Sequence, residues 1–271
     1  MNRRGRTVLE YIIKLGGGND TYVTEVLGAD GIDTVSGGGG IDRYVPQTNE
    51  SVRINLDIIA HDRGPFFPGA DFLPANTATG DEIAKDTIIG FENVEGTADA
   101  DIIYGTASAN SRNGLDGGDV LNGYGGNDTL LSGFGSDHLY GGAGKDRLSG
   151  GLDSDRFQYA KVTDSGVTKA TRDVITDFAF GGVFGFDIID LSLIDANTKV
   201  AGAQAFDYLN DDSSLTPAAN FTLTAGELRS IRTVDGNTLE GDVNGDGKAD
   251  FAIELLDPSH ATTLLDNIFF L

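Results

Sequence analysis

The sequence contains no cysteine and no tryptophan, and it has one methionine and six prolines among 271 residues. Without cysteine the chain has neither a disulfide framework nor a thiolate metal site. Basic residues are scarce as well, because 19 Lys and Arg stand against 42 Asp and Glu, for a formal net charge of −23. This acidic balance argues against nucleic-acid binding, since phosphates require a basic face.

Long apolar runs are also missing. No stretch approaches the roughly 20 apolar residues that cross a bilayer, so we expect no membrane span. The first residues, MNRRGRTVLEYIIKLGGG, begin with basic side chains, but Glu10 and Lys14 interrupt the apolar segment. The pattern is not that of a cleaved Sec signal peptide.

Glycine is abundant, with 39 residues, and much of it falls in seven nine-residue units that run without a gap over residues 96–158. The units read GTADADIIY, GTASANSRN, GLDGGDVLN, GYGGNDTLL, SGFGSDHLY, GGAGKDRLS and GGLDSDRFQ. Their sixth positions carry a carboxylate or carboxamide, namely Asp101, Asn110, Asp119, Asp128, Asp137, Asp146 and Asp155. Their eighth positions are apolar except in one unit, namely Ile103, Arg112, Leu121, Leu130, Leu139, Leu148 and Phe157.

This period has a physical explanation if the turns bind a metal ion. Glycine permits positive φ, which lets main-chain carbonyl oxygens face inward, and Asp adds hard anionic oxygens. Calcium takes six to eight such ligands. The fourth-position glycines are the expected carbonyl donors, namely Gly117, Gly126, Gly135 and Gly144. A glycine-rich stack without metal is the alternative, but it would not require Asp in register.

The motif GGxGxDxUx, with U apolar, resembles the nonapeptide of the RTX family of secreted proteins. The resemblance implies a parallel β-roll in which two units form one coil. It also implies calcium ions between stacked turns, about three along the edge of Asp101, Asp119, Asp137 and Asp155 and about two along the edge of Asn110, Asp128 and Asp146. Extracellular calcium modules bind in the range of about 0.1 to 1 mM, so folding is expected to depend on calcium.

The second unit departs from the motif at two positions. Asn110 replaces the carboxylate, and a neutral carboxamide is a weaker calcium ligand. Arg112 takes the inward apolar position, where an unpaired guanidinium would be costly. We therefore predict a weak site there, with Arg112 either turned outward or paired with a nearby carboxylate.

Shorter copies of the repeat precede the array, in LGGGNDTYV (15–23), GADGIDTVS (28–36) and GGGGIDRYV (37–45). Their acids, Asp20, Asp33 and Asp42, predict one or more further ions. We divide the chain into N-terminal rungs (1–45), an excursion (46–95), the main roll (96–158) and a C-terminal domain (159–271). The N-terminal rungs either belong to the same roll, which we favour, or form a separate small coil. In the excursion, Phe66, Phe67 and Phe72 either anchor the loop or contact a surface polysaccharide.

The segment DVITDFAFGGVFGFDIIDLSLIDA resembles the C-terminal domain of serralysin-type secreted proteases. The matching residues are Asp173, Ile175, Asp177, Phe178, Asp187, Ile189, Asp190, Leu191 and Ser192. The resemblance implies an all-β chain in which the parallel β-roll continues into an antiparallel β-sandwich-like domain. Nearby Phe residues are then core residues, and no cofactor site is needed.

A later loop spaces its oxygens like an EF-hand, with Asp242, Asn244, Asp246 and Asp250 at positions 1, 3, 5 and 9. The acid at position twelve is missing, since that residue is Ile253. The loop is either a further calcium site or a hairpin turn rich in Asn, Asp and Gly.

The last residues resemble the uncleaved signal that type I export machinery recognises on serralysin-like substrates. They comprise Asp266, Ile268, Phe269, Phe270 and Leu271. An ordinary terminal strand explains the same residues, and both roles are compatible. The resemblance implies a protein secreted from a Gram-negative bacterium without a cleaved Sec signal, with the type I secretion machinery as its partner.

No catalytic constellation emerges. His61, His138 and His260 are far apart, and none lies in an H-E-x-x-H motif. We expect a monomeric, non-catalytic, secreted calcium-binding module that accompanies or terminates a secreted enzyme. The alternatives are an adhesion or matrix protein that binds surface glycans, and a polysaccharide lyase or epimerase.

Overall fold

The computed structural model describes residues 12–24, 34–48, 52–56, 74–80, 84–179, 185–209, 220–233, 235–256 and 269–270. Within these ranges all regular secondary structure is β-strand, joined by turns and bends. No helix of membrane-spanning length and hydropathy occurs in them.

The strands are short, which is expected where a glycine turn follows every few residues. In chain order they are β1 (Ile12–Lys14), β2 (Thr21–Val23), β3 (Thr34–Ser36), β4 (Arg43–Val45), β5 (Arg53–Asn55), β6 (Thr77–Gly80), β7 (Ala84–Ile89), β8 (Asn93–Glu95), β9 (Ile102–Tyr104), β10 (Ser111–Asp116), β11 (Val120–Asn122), β12 (Thr129–Phe134), β13 (His138–Tyr140), β14 (Arg147–Leu152), β15 (Arg156–Gln158), β16 (Asp173–Ile175), β17 (Ile188–Asp190), β18 (Asp207–Tyr208), β19 (Glu227–Arg232), β20 (Gly236–Asp242), β21 (Phe251–Leu256) and β22 (Phe269–Phe270).

These strands form two sheets of 11 strands each. The first sheet has the order β1-β3-β7-β6-β5-β9-β11-β13-β15-β17-β22. The second has the order β18-β19-β20-β21-β16-β14-β12-β10-β8-β4-β2. Neighbouring strands are parallel except in the pairs β5–β6, β6–β7, β19–β20 and β20–β21, which are antiparallel.

The repeats wind so that successive units contribute strands to alternate sheets. Leu121 therefore lies opposite Leu139, and Leu130 lies opposite Leu148, each pair 18 residues apart. The eighth-position side chains point into the space between the sheets and are buried, from Ile103 to Phe157. The prediction of an all-β parallel β-roll with a thin apolar core is confirmed.

Strands from the N-terminal segment lie in the same two sheets as the main array. In the second sheet β2 pairs with β4, β4 with β8, and β8 with β10, all parallel. In the first sheet, β5, β6 and β7 connect β3 to β9. Asp33 and the aromatic residues Phe66, Phe67 and Phe72 lie outside the described residues.

The C-terminal part begins as two further rungs of the roll, because β16 pairs with β14 and β17 with β15, both parallel. Beyond them β19, β20 and β21 form an antiparallel meander whose last strand pairs with β16. Ile175, Phe178 and Ile189 are buried in the continuous core. The two sheets thus run across residue 158 without a break.

Candidate metal centre

The sixth-position acids of the first edge form a ladder of hydrogen bonds along the roll. In each case the Oδ1 atom accepts the main-chain N–H of the sixth-position residue one coil earlier. Asp101 N–H donates to Asp119 at 2.8 Å, Asp119 N–H to Asp137 at 2.7 Å, and Asp137 N–H to Asp155 at 3.0 Å. Asp155 N–H continues the ladder to Asp187 at 3.0 Å.

The second edge carries the same ladder. Asn110 N–H donates to Asp128 Oδ1 at 2.7 Å, and Asp128 N–H donates to Asp146 Oδ1 at 2.8 Å. Asp146 N–H then donates to Asp173 Oδ1 at 2.8 Å. One oxygen of each acid therefore holds adjacent coils in register.

The other oxygen of most of these acids is buried without a donor, the exceptions being Asp101 and Asp187. Among the described residues, the buried Oδ2 atoms that have no hydrogen-bond partner belong to Asp20, Asp42, Asp119, Asp128, Asp137, Asp146, Asp155 and Asp173. An unpaired carboxylate oxygen removed from water is costly, and either a proton or a bound cation removes that cost along both edges. Calcium, which prefers anionic and carbonyl oxygens, fits this donor set.

The carboxylates alone do not complete a coordination shell. In the described part of the chain, no three His, Asp or Glu side chains gather around one point. Because calcium takes six to eight oxygens, main-chain carbonyls of the turns must supply the rest. Gly117, Gly126, Gly135 and Gly144 all have positive φ, from +96° to +145°, as the carbonyl arrangement requires.

First-position glycines keep the space around the free oxygens clear. A Cβ atom would lie 2.4 Å from Asp128 Oδ2 at Gly123, 2.3 Å from Asp146 Oδ2 at Gly141, and 2.2 Å from Asp155 Oδ2 at Gly150. Carbon and oxygen cannot approach so closely. In these three units glycine at the first position leaves room for the carboxylate, whereas the fifth unit has Ser132 there.

Burial raises the pKa of these carboxyl groups, because an ionised oxygen loses its hydration. The pKa rises to about 8 for Asp119 and Asp155, to about 7 for Asp128, and to about 6 for Asp137 and Asp146. Neighbouring carboxylates add to the rise of the pKa at Asp119, after burial. A bound cation reverses this effect, so proton and calcium compete for the same oxygens.

The comparison with known protein families agrees with this geometry. A family described as RTX calcium-binding nonapeptide repeat (4 copies) matches residues 86–121, 106–139 and 122–157. Residues 86–157 are thus similar to RTX calcium-binding repeats. Among solved structures, the AlgE6R3 subunit of the Azotobacter vinelandii mannuronan C5-epimerase is 27% identical, with a TM-score of 0.30, and the alignment covers 64% of this chain and 78% of that chain. A TM-score of 0.30 does not establish a common fold. No curated protein sequence matches the chain.

The first coil of the RTX array differs from the later coils. Both oxygens of Asp101 accept hydrogen bonds from the protein, Oδ1 from Val52 N–H and Oδ2 from Thr97 N–H. Asn110 Oδ1 accepts from Thr106 N–H and from the Arg112 guanidinium. Of the two placements expected for Arg112, the structure shows the paired one, since Nη1 lies 3.7 Å from Asp128 Oδ1 within the core.

The N-terminal rungs contribute a second stretch of the ladder. Asp20 N–H donates to Asp42 Oδ1 at 2.8 Å, and Asp42 N–H donates to Glu92 Oε2 at 2.8 Å. The free Oδ2 atoms of Asp20 and Asp42 resemble those of the RTX array. The predicted ligand Asp33 lies outside the described residues.

The EF-hand-like loop lies between β20 and β21, where its acids are occupied by main-chain donors. Asp242 accepts N–H groups of Gly245 and Gly247, at 2.6 and 2.8 Å. Asp250 accepts the N–H groups of Val243 and Asn244 and the Asn244 side chain, while Asp246 accepts Lys248 N–H. This bonding is that of a hairpin turn, the alternative reading of the sequence, and the calcium site in this loop stays a prediction.

The predicted export signal is described only in part. Phe269 and Phe270 form β22, which pairs in parallel with β17 at Ile189 and Asp190. Asp266, Ile268 and Leu271 lie outside the described residues. The end of the chain therefore includes a strand of the first sheet, a role compatible with an export signal.

Three residues of the hydrogen-bond ladder were not among the site residues predicted from the sequence, namely Glu92, Asp173 and Asp187. Glu92 lies nine residues before Asp101, and Asp173 lies eighteen after Asp155, so the nine-residue register identifies both. Asp164 has the same register but instead accepts Ala160 and Lys161 N–H groups and the Tyr140 hydroxyl. Asp187 has no such register signal, and only the stacking of β17 on β15 reveals it.

Proposed function

We propose that this protein is a secreted calcium-binding RTX module that folds when it meets extracellular calcium and then serves as a scaffold. One observation carries the proposal, namely the row of buried Oδ2 atoms without donors along both edges of the roll. Inside a cell, where free calcium is low, these carboxylates would repel one another and favour an open chain. Outside, calcium bridges the coils and stabilises the roll.

The scale of this effect is large enough to control folding. At a calcium concentration ten times the dissociation constant, each ion contributes roughly 1.4 kcal/mol by mass action. About five ions would contribute about 7 kcal/mol, which is comparable to the whole stability of an ordinary domain. The number of ions is part of the proposal.

The direct test is a calcium titration of the metal-stripped full chain, followed by far-ultraviolet circular dichroism. We expect little β-structure in excess chelator and a cooperative gain of β-signal as calcium rises through about 0.1 to 1 mM. A chain that is fully folded and equally heat-resistant in chelator would contradict the proposal.

We extend the proposal to export by a type I system, in which the chain travels unfolded and its C-terminal segment is recognised, as the serralysin-like residues suggest. The expected companion is a secreted enzyme, with the module itself non-catalytic. The test is co-expression with a type I exporter, comparing the intact chain with one that ends at Leu256. Loss of export on truncation supports the idea, and unchanged export refutes it.

A further inference from the structure

The two turns of the first RTX coil, residues 96–101 and 105–110, have a different backbone from the later turns. In the later turns the second-position residues have positive φ, namely Leu115, Tyr124, Gly133, Gly142 and Gly151. Their fourth positions have positive φ as well. In the first coil, Thr97 and Thr106 at the second position and Asp99 and Ser108 at the fourth position do not.

This difference decides which main-chain groups face the ladder. In the first coil the second-position N–H points inward, so Thr97 N–H meets Asp101 Oδ2 at 2.6 Å and Thr106 N–H meets Asn110 Oδ1 at 3.0 Å. Both threonine hydroxyls donate to the same acceptor residues, at 3.0 and 2.9 Å. In the later turns the corresponding Oδ2 atoms receive no donor at all. The first coil thus satisfies its acceptors with protein hydrogen atoms.

Arg112 supplies the positive charge of this coil. Its side chain is fully buried, its Nη2 donates to Asn110 Oδ1 at 2.7 Å, and its Nη1 lies 3.7 Å from Asp128 Oδ1. A Cβ atom on Gly105 would lie 1.2 Å from Arg112 Nη2. A Cβ atom on any other first-position glycine of the array would instead approach a carboxylate Oδ2 atom. The guanidinium therefore lies within the turn itself, beside its first glycine.

Burying an arginine at this position costs desolvation free energy. Nε and Nη1 of Arg112 have no hydrogen-bond acceptor among the described residues. The residues opposite it in the sheet are Val94 and Leu130, so an apolar side chain fits the same slot. A guanidinium in such surroundings is tolerated only where its charge is needed. Here the positive charge compensates the negative charge of the adjacent Asp128 carboxylate.

We propose that the coil of residues 96–113 binds no calcium, and that the Arg112 guanidinium is the resident cation of the Asn110 turn. This inference rests on the proposed function, because it concerns which rungs of the calcium roll take an ion. It divides the ladder into two calcium-binding stretches, one at Asp20 and Asp42 and one from Asp119 onward. The coil between them binds its acceptor oxygens with hydrogen-bond donors of the protein.

The first test counts calcium ions bound to the full chain by native mass spectrometry and by titration calorimetry. Asp137→Asn removes a carboxylate whose Oδ2 is free, and we expect one ion fewer than in the unchanged protein. Asp101→Asn makes the same change in the first coil, and we expect an unchanged count. An equal loss from both variants overturns the inference.

The second test builds the missing site. The triple change Thr106→Gly, Asn110→Asp and Arg112→Leu converts the unit to GGASADSLN, and we expect one additional ion. Arg147→Leu, at an exposed arginine of the array, is the matched control and leaves the count unchanged. A folded triple variant that gains no ion overturns the inference, and if that variant does not fold, the Asp101 and Asp137 pair decides. A wild-type chain without any bound calcium would instead refute the proposed function.

Discussion

At the residue scale, Gly126 and Gly125 show why glycine is required at one place and not at its neighbour. Gly126 has φ +96°, and a Cβ atom there would lie 2.5 Å from Ala109 N. Gly125 has ordinary φ, and its Cβ would meet its nearest atom, Ala143 O, at 3.5 Å. The next coil carries Ala143 at the position equivalent to Gly125 and pairs with it.

We therefore predict that Gly126→Ala lowers the free energy of unfolding of the calcium-loaded chain by about 2 to 4 kcal/mol, because backbone strain and overpacking add. Gly125→Ala is the control, with an expected change within about 0.5 kcal/mol. Denaturant unfolding in saturating calcium measures both. Similar losses from the two variants would show that the turn tolerates no side chain at either position.

The buried carboxyls predict an unusual pH dependence. A group whose pKa is raised by folding stabilises the folded state fully below its unfolded pKa, and that contribution is lost as pH rises through the folded value. For Asp119 and Asp155 the pKa rises from 3.8 to about 8, and for Asp137 and Asp146 to about 6.

The metal-stripped chain should thus retain less β-signal in circular dichroism at a pH of about 8.5 than at a pH of about 5. Calcium removes this trend, because the bound ion keeps the carboxylates ionised. Calcium binding near neutral pH should also release protons, which calorimetry in buffers of different ionisation enthalpy detects. A metal-free chain that gains stability as pH rises, with no proton release on binding, would be inconsistent with these pKa shifts.

At the element scale, each strand of the array places alternate residues in the core and on the surface. Along β12, Leu130 is 0% exposed between the sheets, while Leu131 is 39% exposed on the outer face. The eighth position of the repeat predicted this alternation, since inward and outward side chains follow a period of two. The repeat register thus identified the core residues of every unit.

Leu130→Ala should cost about 2 to 5 kcal/mol, because it opens a cavity in a core only one side chain thick. Leu131→Ala, one residue away on the same strand, should cost less than about 1 kcal/mol. Thermal melts in saturating calcium compare the two. If Leu131→Ala proved the more damaging, the outer face of the second sheet would be packed against something in solution.

At the scale of the whole molecule, two sources of instability act on the metal-free chain. One is the repulsion of a net charge of −23, which salt screens. The other is the set of buried carboxylate oxygens without donors, which bulk salt reaches poorly. Both sheets run through the N-terminal rungs, the RTX array and the first C-terminal rungs. A loss of stability in the array therefore destabilises the whole roll.

We predict that about 0.5 M NaCl recovers only a minor part of the β-signal that saturating calcium restores to the metal-stripped chain. Magnesium at equal concentration should also fail, because it demands near-ideal octahedral geometry and retains its waters. Circular dichroism at matched ionic strength gives the measurement. Full recovery in NaCl would mean that repulsion between exposed charges is the only barrier to folding.

The sequence by itself determined the all-β class, the coil period and most residues of the hydrogen-bond ladder. Positions six and eight of each unit, such as Asp119 and Leu121, predict a turn ligand and a core residue because both roles depend on local spacing. The same register, carried further, also reaches Glu92 and Asp173.

Only the tertiary structure decided which distant groups complete the ladder. Asp101 Oδ2 is bound by Thr97 N–H of its own turn, whereas the donor to Asp101 Oδ1, Val52 N–H, lies 49 residues earlier in the chain. The placement of Arg112 beside Asp128, and of Asp187 beneath Asp155, likewise depends on which coils stack. Stacking is a contact between distant segments, and residue spacing within one unit does not encode it.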